Sequence, residues 1–578
     1  MQKTTCPLDC FDGCSIIVDE NLKLKGDKSH PITQGYLCPH LNNYHKFERI
    51  QKPTLHGKEI TLEEALEVLK TKLQQTQAKD TLYFKGSGNL GSLQSIPRLF
   101  FAAHNAHIAK GSLCEEAGAY GIEEGRGANL SLSPTQVAKS EVVIIWGRNP
   151  STTNSHMLGA LKGKTLIVID PMKIDLAKNA ALHVQIRPRG DIYLAMLLAR
   201  SAYMEQLEDE TFIKERTENF EYYIDFINAI PIRKLMDKSG VDLDVVGKIL
   251  SLIKGKKVSF LVGLGVQKYA HGHSVLRAID SFAAMLGLFG KEGCGVGYIS
   301  DSAYGFKSPF SAKVNSVLLP TVDFSKYALV VVQGGNPLNQ MPCTPKVKEG
   351  LENAGFVVYF GLHVNETSKV ADLVIPAKTF LEKEDLKLSY GHEYIGYMPQ
   401  IVENDIGISE YDFCAYLMQS FGYGELKKPS EYIQEIVASN SMQKEDMLIS
   451  KTYEHIPYEK EFYTPSKKFE FFDEFYDEEE ECEGFYLLHV KYLKSLNSQF
   501  EPNQYLHVPP SLGLIDNQSI KLCTDAYECE YIVKNDDRLR DDCLMLYSGH
   551  KDANMLTPHR VSQEGLSAIY QETKVRIG

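Results

Sequence analysis

The apolar positions of this chain follow two periods in turn. Short runs such as "TLYFKG", "EVVIIWG", "TLIVID", "VSFLVGLG", "ALVVVQGG" and "GFVVYFG" are rich in Val, Ile and aromatic residues and close on Gly or Asp, as buried strands do. Between them, "TLEEALEVLKTKLQQ" and "HSVLRAIDSFAAMLGLF" carry apolar residues at helical spacing. Strand and helix in alternation predict an α/β body with parallel sheets. Around residues 472–486 the stretch "FFDEFYDEEEECEGFY" reads as an acidic, solvated connector. From Tyr486 the pattern turns to short strands broken by Pro, Asn, Asp and Gly, as in a small β-barrel. The expected organisation is an N-terminal segment at 1–55, a large multi-domain α/β body at 56–475 and a C-terminal β-barrel at 484–578.

Composition narrows the partners. A net charge of -13 argues against a surface that neutralises phosphates, so no nucleic acid is expected, and anionic membranes are disfavoured. No apolar run approaches the roughly 18 residues of a spanning helix. "MQKTTC" lacks a basic signal region, so the expectation is a cytoplasmic protein without membrane insertion. Twelve cysteines are too sparse in 578 residues for a disulfide scaffold.

Four of them open the chain in "TTCPLDCFDGCSIIVDENLKLKGDKSHPITQGYLCPHL": Cys6, Cys10, Cys14 and, after a gap, Cys38. Three contiguous thiolates and one remote one suit a 4Fe-4S cube, whose irons each take one thiolate. Structural zinc also takes four thiolates and stays open as the rival, although it favours two separated close pairs. Within the body a weak repeat recurs: one strand ends in Gly147-Arg148-Asn149-Pro150 and another in Gly334-Gly335-Asn336-Pro337. Beyond the carboxyl ends of parallel strands, Gly permits close backbone approach and free amides at a helix start can hold pyrophosphate. Asp170, about twenty residues on, fits an acid that grips a ribose or base edge. A plain connecting turn is the bland reading of one copy; two copies in matching contexts predict two pseudo-repeated dinucleotide-binding halves.

The cysteine tract, "ITLEEAL", "GSLCEEAG", "VVIIWGRNP", "VIDP", "IRPRGD", "LVGLGV", "VVVQGGNP", "VADLVIPAKTFLEKED", "TPSKKFEFF" and "NMLTPH" occur in an order that resembles the molybdopterin oxidoreductases of the dimethyl sulfoxide reductase superfamily. The resemblance covers nearly the whole chain. It implies a molybdenum or tungsten ion held by two pyranopterin (molybdopterin) guanine dinucleotides, with electrons relayed through the 4Fe-4S cluster. It further implies that Asn149, Asp170 and Asp191 serve one dinucleotide, that Asn336 and the "NET" ending in Glu366 and Thr367 serve the other, and that a terminal barrel including Ser498 and Asn554 closes over both. Cys114 of "KGSLCEEAG" stands at the position of the protein ligand to the metal, with Gly121 at the expected offset; thiolate is a suitable donor for such an ion. A small buried thiol is the bland alternative there.

Some positions depart from the family pattern. Glu115 follows Cys114 where formate dehydrogenases have His, and His40 stands where Lys or Arg often lies between cluster and pterin. Gly361 replaces an Asp that relatives place at the end of that strand. Cys294 and Cys343 read as structural, and His104, His107, His156 and His392 as possible neighbours of the substrate. The implied activity is two-electron, oxygen-atom-transfer redox chemistry on a small-molecule substrate, with a ferredoxin-like or iron-sulfur partner protein. A formate dehydrogenase-like enzyme, a pterin-free electron-transfer subunit and a non-redox tungsten hydratase remain as alternatives.

Overall fold

The computed structural model describes all residues except 45–47, 88–90, 299–305 and 478–482. The chain divides into two compact units, each assembled from three separate stretches. The first comprises Met1–Gly111, Gly305–Tyr453 and Leu493–Pro502, and the second Ser112–Tyr304, Glu454–Tyr492 and Asn503–Gly578. The α/β body expected at 56–475 thus supplies a sheet to each unit.

The first unit is built on an eight-stranded sheet ordered Asn315–Leu318, His107–Lys110, Thr81–Lys85, Leu329–Gln333, Val357–Gly361, Leu373–Pro376, Thr54–Leu55 and Lys58–Glu59. The first six strands are parallel to one another; Thr54–Leu55 pairs antiparallel with Leu373–Pro376, and Lys58–Glu59 antiparallel with Thr54–Leu55. Helix Leu62–Gln75 starts in a capping box between Thr61 and Glu64 and buries Ala65, Leu66, Leu69 and Leu73, the stripe its sequence spacing predicts. The N-terminal strands Gln2–Thr5, Ser15–Val18 and Leu24–Gly26 form a small antiparallel sheet. A further antiparallel sheet joins Asp385–Leu388, Tyr394–Met398, Met447–Ser450 and Ser441–Lys444.

The second unit carries a five-stranded parallel sheet ordered Leu182–Val184, Thr165–Ile169, Val142–Trp146, Val258–Val262 and Gly295–Tyr298. Helices Asp191–Met204 and Gly272–Met285 are buried along most of their length, which is why their apolar residues extend beyond one stripe. The barrel predicted near the C-terminus is a closed ring of six strands, Phe485–Val490, Cys543–Tyr547, Leu506–Val508, Glu528–Asn535, Ser519–Cys523 and Lys574–Ile577. The chain leaves it after Val490 and returns at Leu506, and the excursion at 493–502 belongs to the first unit. Ser498 therefore lies outside the barrel, in the Asn497-Ser498 turn of the hairpin Ser495–Leu496 and Gln499–Phe500.

The acidic stretch is less solvated than its charge suggests. Phe471 and Phe472 are buried in the core of the second unit, and Asp477 accepts a 2.6 Å hydrogen bond from Arg189, while residues 478–482 lie outside the described residues. Among the described residues, no helix is long and apolar enough to cross a membrane.

Candidate functional site

Each parallel sheet reverses its strand order at one place, and each Gly-containing turn stands there. In the five-stranded sheet the order runs outward from Val142–Trp146 in one direction and resumes beside it at Val258–Val262. In the eight-stranded sheet the equivalent neighbours are Leu329–Gln333 and Thr81–Lys85. Such switch points leave a crevice at the carboxyl ends of the strands. Gly147 and Gly334 adopt φ of 56° and 57°, a conformation that favours glycine, and their N–H groups donate to the carbonyls of Ile169 and Phe360, both at 2.8 Å. Asn149 and Asn336 then cap one-turn helices that begin with Pro150 and Pro337, and neither side chain is spent on its cap. These helices are too short to contribute a macrodipole, and in the second the Leu338 N–H is already spent on the Thr367 hydroxyl at 3.3 Å. On the adjoining strands, a Cβ at Gly263 would stand 1.9 Å from the Gly147 carbonyl oxygen, and one at Gly86 2.5 Å from Gly335 Cα. The repeat read from four residues is a repeat of whole turns.

The two turns differ in what surrounds them. In the second unit Asn149 Oδ1 is buried without a hydrogen-bond partner. Asp170 ends its strand and Asp191 begins a helix; burial pushes both carboxyls up to about 7, with the charge of Asp191 adding to the effect on Asp170. Trp146 Nε1 donates to Asp191 Oδ1 at 2.7 Å and works the other way. Two buried acids and an unsatisfied amide oxygen form an acceptor-rich surface, which suits the ring and exocyclic N–H groups of a purine. In the first unit Asn336 is already satisfied: Nδ2 donates to Glu366 at 2.6 Å and to Ser498 at 3.1 Å, and Oδ1 accepts from the Thr367 hydroxyl at 2.9 Å. Asn336, Glu366, Thr367 and Ser498, far apart in sequence, are brought together. At Gly361 a Cβ would meet the Tyr359 hydroxyl at 2.6 Å, and that phenol accepts from Asn365 Nδ2 at 2.8 Å. A tyrosine two residues earlier fills the space of the missing acid. Asn554 is buried in the loop after the barrel strand Cys543–Tyr547, where its carbonyl accepts from Thr557 at 3.1 Å.

Cys114 is half-buried, in no disulfide, and stands just before helix Glu116–Arg126. Its N–H donates to Ser112 Oγ at 2.8 Å, and its carbonyl accepts from Gln267 Nε2 at 2.7 Å. Gly121 lies where this helix crosses Gly272–Met285: a Cβ there would stand 2.1 Å from the His273 carbonyl. Lys268 was not legible as a site residue. Its buried ammonium donates to the Leu113 carbonyl and lies 5.0 Å from the Tyr570 ring. Burial pulls its pKa down to about 8, and the charges of Cys114 and Glu115 oppose that. It remains a cation at pH 7, beside a thiol.

The N-terminal cysteines line a loop closed by a 2.9 Å bond from the Cys6 N–H to the Cys14 carbonyl and packed against Leu8, Ile16, Leu41, Phe380 and Met398. None of the four is in a disulfide; Cys6 and Cys14 are buried, Cys10 and Cys38 half-buried. Burial pushes the Cys6 thiol up to about 11 and raises the other three, and the charges of Cys6, Cys10 and Cys38 all reach Cys14. Among the described residues no three His, Cys, Asp or Glu side chains gather closely enough to hold a single metal ion. His40 stacks on Phe500 at 5.1 Å, and burial pulls its pKa below the ordinary 6.5, leaving it neutral at pH 7. His392 lies against this loop, 2.7 Å from the Asp12 carbonyl, and His104 contacts Tyr423 at 3.0 Å. Cys294 and Cys343 are buried.

Comparison with known proteins agrees with this geometry. Residues 49–403 match the family model described as molybdopterin oxidoreductase. A Bacillus subtilis protein named "Probable oxidoreductase YyaE" is 27% identical over 522 residues, covering 82% of this chain and 78% of its own length. The alpha subunit of an F420-dependent formate dehydrogenase from Methanocaldococcus jannaschii is 27% identical over 438 residues, covering 66% of this chain and 64% of that subunit. The solved acetylene hydratase of Pelobacter acetylenicus matches along the full length of both chains with a TM-score of 0.81 at 17% identity, a likeness of fold.

Proposed function

The chain belongs to the molybdopterin oxidoreductase family, and from that membership we infer that its two turns hold a pair of pyranopterin guanine dinucleotides on one molybdenum or tungsten ion, while Cys6, Cys10, Cys14 and Cys38 hold a 4Fe-4S cluster. The observation that carries this reading is the matched pair of Gly-Asn-Pro turns at the two switch points, one of them beside an orphaned Asn149 oxygen and two raised carboxyls. When bound, the metal-pterin group supplies two-electron chemistry and the cluster passes electrons singly.

The protein's own groups do the rest. Asp170 and Asp191 accept from guanine N–H groups, and Asn149 and the glycine backbones meet the phosphates and pterin edges. In the other half Asn336 orients with Glu366, Thr367 and Ser498. Asn554 contributes from the barrel. Cys114 offers a thiolate to the metal, which the Lys268 ammonium favours. His40, half-buried and stacked on Phe500, is a spacer in the electron path. Three cysteines close in sequence and one remote favour a multi-iron core over a lone zinc ion. The substrate is a small molecule reduced or oxidised in a cytoplasmic setting, with a ferredoxin-like or iron-sulfur protein as electron partner.

Anaerobic purification with elemental analysis and nucleotide release tests this. About four irons, one molybdenum or tungsten and two guanylates per chain are expected; a colourless, iron-free preparation without guanylate overturns it. Viologen-linked assays over S-oxides, N-oxides, sulfur oxyanions and formate, beside acetylene hydration without an acceptor, then separate the oxygen-transfer reading from formate dehydrogenase-like and hydratase-like activity. Iron without pterin marks an electron-transfer subunit.

A further inference from the structure

One short segment holds the cysteine loop along its length. Lys387, in the strand Asp385–Leu388, is 1% exposed and donates from Nζ to the Leu8 carbonyl. Two residues on, Ser389 Oγ donates to the Phe11 carbonyl at 2.8 Å, and His392 Nε2 lies 2.7 Å from the Asp12 carbonyl. Between them the Tyr390 hydroxyl donates to Asp9 Oδ1 at 3.2 Å. Residues 8, 9, 11 and 12, all within the span from Cys6 to Cys14, are therefore bonded by side chains of 387–392. The fit is close: a Cβ at Gly391 would lie 2.0 Å from the Phe11 ring.

Three of these bonds explain how the loop is positioned. Lysine is the odd member. An ammonium is far costlier to bury than a hydroxyl, and a single carbonyl returns little of that cost. Among the described residues no carboxylate stands within ion-pair distance of Lys387, whereas the buried Lys383 in the same strand region is paired with Glu410. The carbonyl that Lys387 holds belongs to Leu8, between Cys6 and Cys10, so the buried ammonium is fixed against the thiol-bearing loop itself. Two residues after Cys38, where the family pattern often has Lys or Arg, stands His40, stacked on Phe500.

We propose that Lys387 is the fixed cation that sets the reduction potential of the centre held by Cys6, Cys10, Cys14 and Cys38. The inference rests on the cluster reading above. Four thiolates leave a 4Fe-4S centre negatively charged, and reduction adds one electron with no bond made or broken and no proton taken up, so a buried ammonium beside it favours the reduced state.

The test uses the full-length, anaerobically prepared protein and its Lys387→Gln, Lys387→Met and Lys387→Arg variants. Iron content is measured first, then the midpoint potential by a mediator titration followed by electron paramagnetic resonance. Glutamine keeps a donor for the Leu8 carbonyl and removes the charge. At a fixed potential its ratio of reduced to oxidised cluster should fall about tenfold, which for a one-electron couple is about 59 mV. Lys387→Arg should stay at the wild-type value, as should Ser389→Ala, which removes a loop bond without changing charge. An unchanged potential in an iron-replete Lys387→Gln or Lys387→Met protein overturns the inference, as does an equal shift in Lys387→Arg. If both neutral variants lose iron while Lys387→Arg keeps it, the charge is required for assembly and the inference stands; if Lys387→Arg loses iron too, the residue acts by packing and the inference falls. Wild-type protein without iron overturns instead the cluster reading on which this one rests.

Discussion

Asp191 is 4% exposed and has one strong donor, the Trp146 indole, so in the ligand-free protein its charge is poorly compensated. Its folded pKa of about 7 lies above the ordinary 3.8. The folded state therefore keeps a proton that the unfolded chain releases, and stability falls as pH rises from about 4 to about 7, then levels off. The ligand-free Asp191→Asn variant should lose the Asp191 share of this slope, Asp170 keeping its own, and exceed wild type above pH 7 by up to the order of 4 kcal/mol; urea unfolding at pH 5 and pH 8 checks it. An equal slope in both proteins would show that Asp191 is compensated after all. At this scale the sequence exposed the acids and the Gly-Asn-Pro turns, because glycine and proline mark backbone geometry directly. It did not expose Lys268 or Lys387. A lysine alternating with leucine, as in "DLKL", reads as the solvent face of a strand, and only long-range packing shows that face to be buried.

Elements were the most legible level. Strand Val142–Trp146 and helix Leu62–Gln75 appear where period and capping place them, since buried apolar runs and a Thr-Glu capping box act locally. How elements are tied to each other was hidden. Helix Glu116–Arg126 is joined to helix Gly272–Met285 by a fully buried ion pair, in which Arg126 Nε donates to Asp280 Oδ2 at 2.6 Å and a second N–H donates to the Val296 carbonyl at 3.0 Å. The guanidinium also lies 4.9 Å from the centre of the Phe289 ring. Asp280→Ala strands that charge and should cost about 3–5 kcal/mol, read as a lower urea midpoint with an unchanged m-value. A loss below about 1 kcal/mol would mean that water reaches the arginine. Since the first of these helices follows Cys114, the variant should also weaken retention of the metal.

For the whole molecule, the fold class was legible and the path of the chain was not. The α/β body with its barrel follows from the succession of patterns, whereas the assembly of each compact unit from three separate stretches does not. Ser498 shows the cost of reading linearly: it joins Asn336 and Glu366 in the first unit although barrel strands flank it in sequence. Because cofactor binds the folded chain and not the unfolded one, stripping it anaerobically should lower the melting temperature, by an amount that grows with affinity as RT ln(1 + [L]/Kd). Scanning calorimetry of loaded and stripped protein measures this, and coincident transitions would mean that the cofactor adds no stability.

The interleaved path also constrains synthesis. Since the first unit includes residues as late as Pro502 and the second begins at Ser112, neither can be completed while the ribosome is still translating the middle of the message. The loop of early cysteines gains its packing partners Met398, Leu496 and Phe500 only after these are translated, hundreds of codons later.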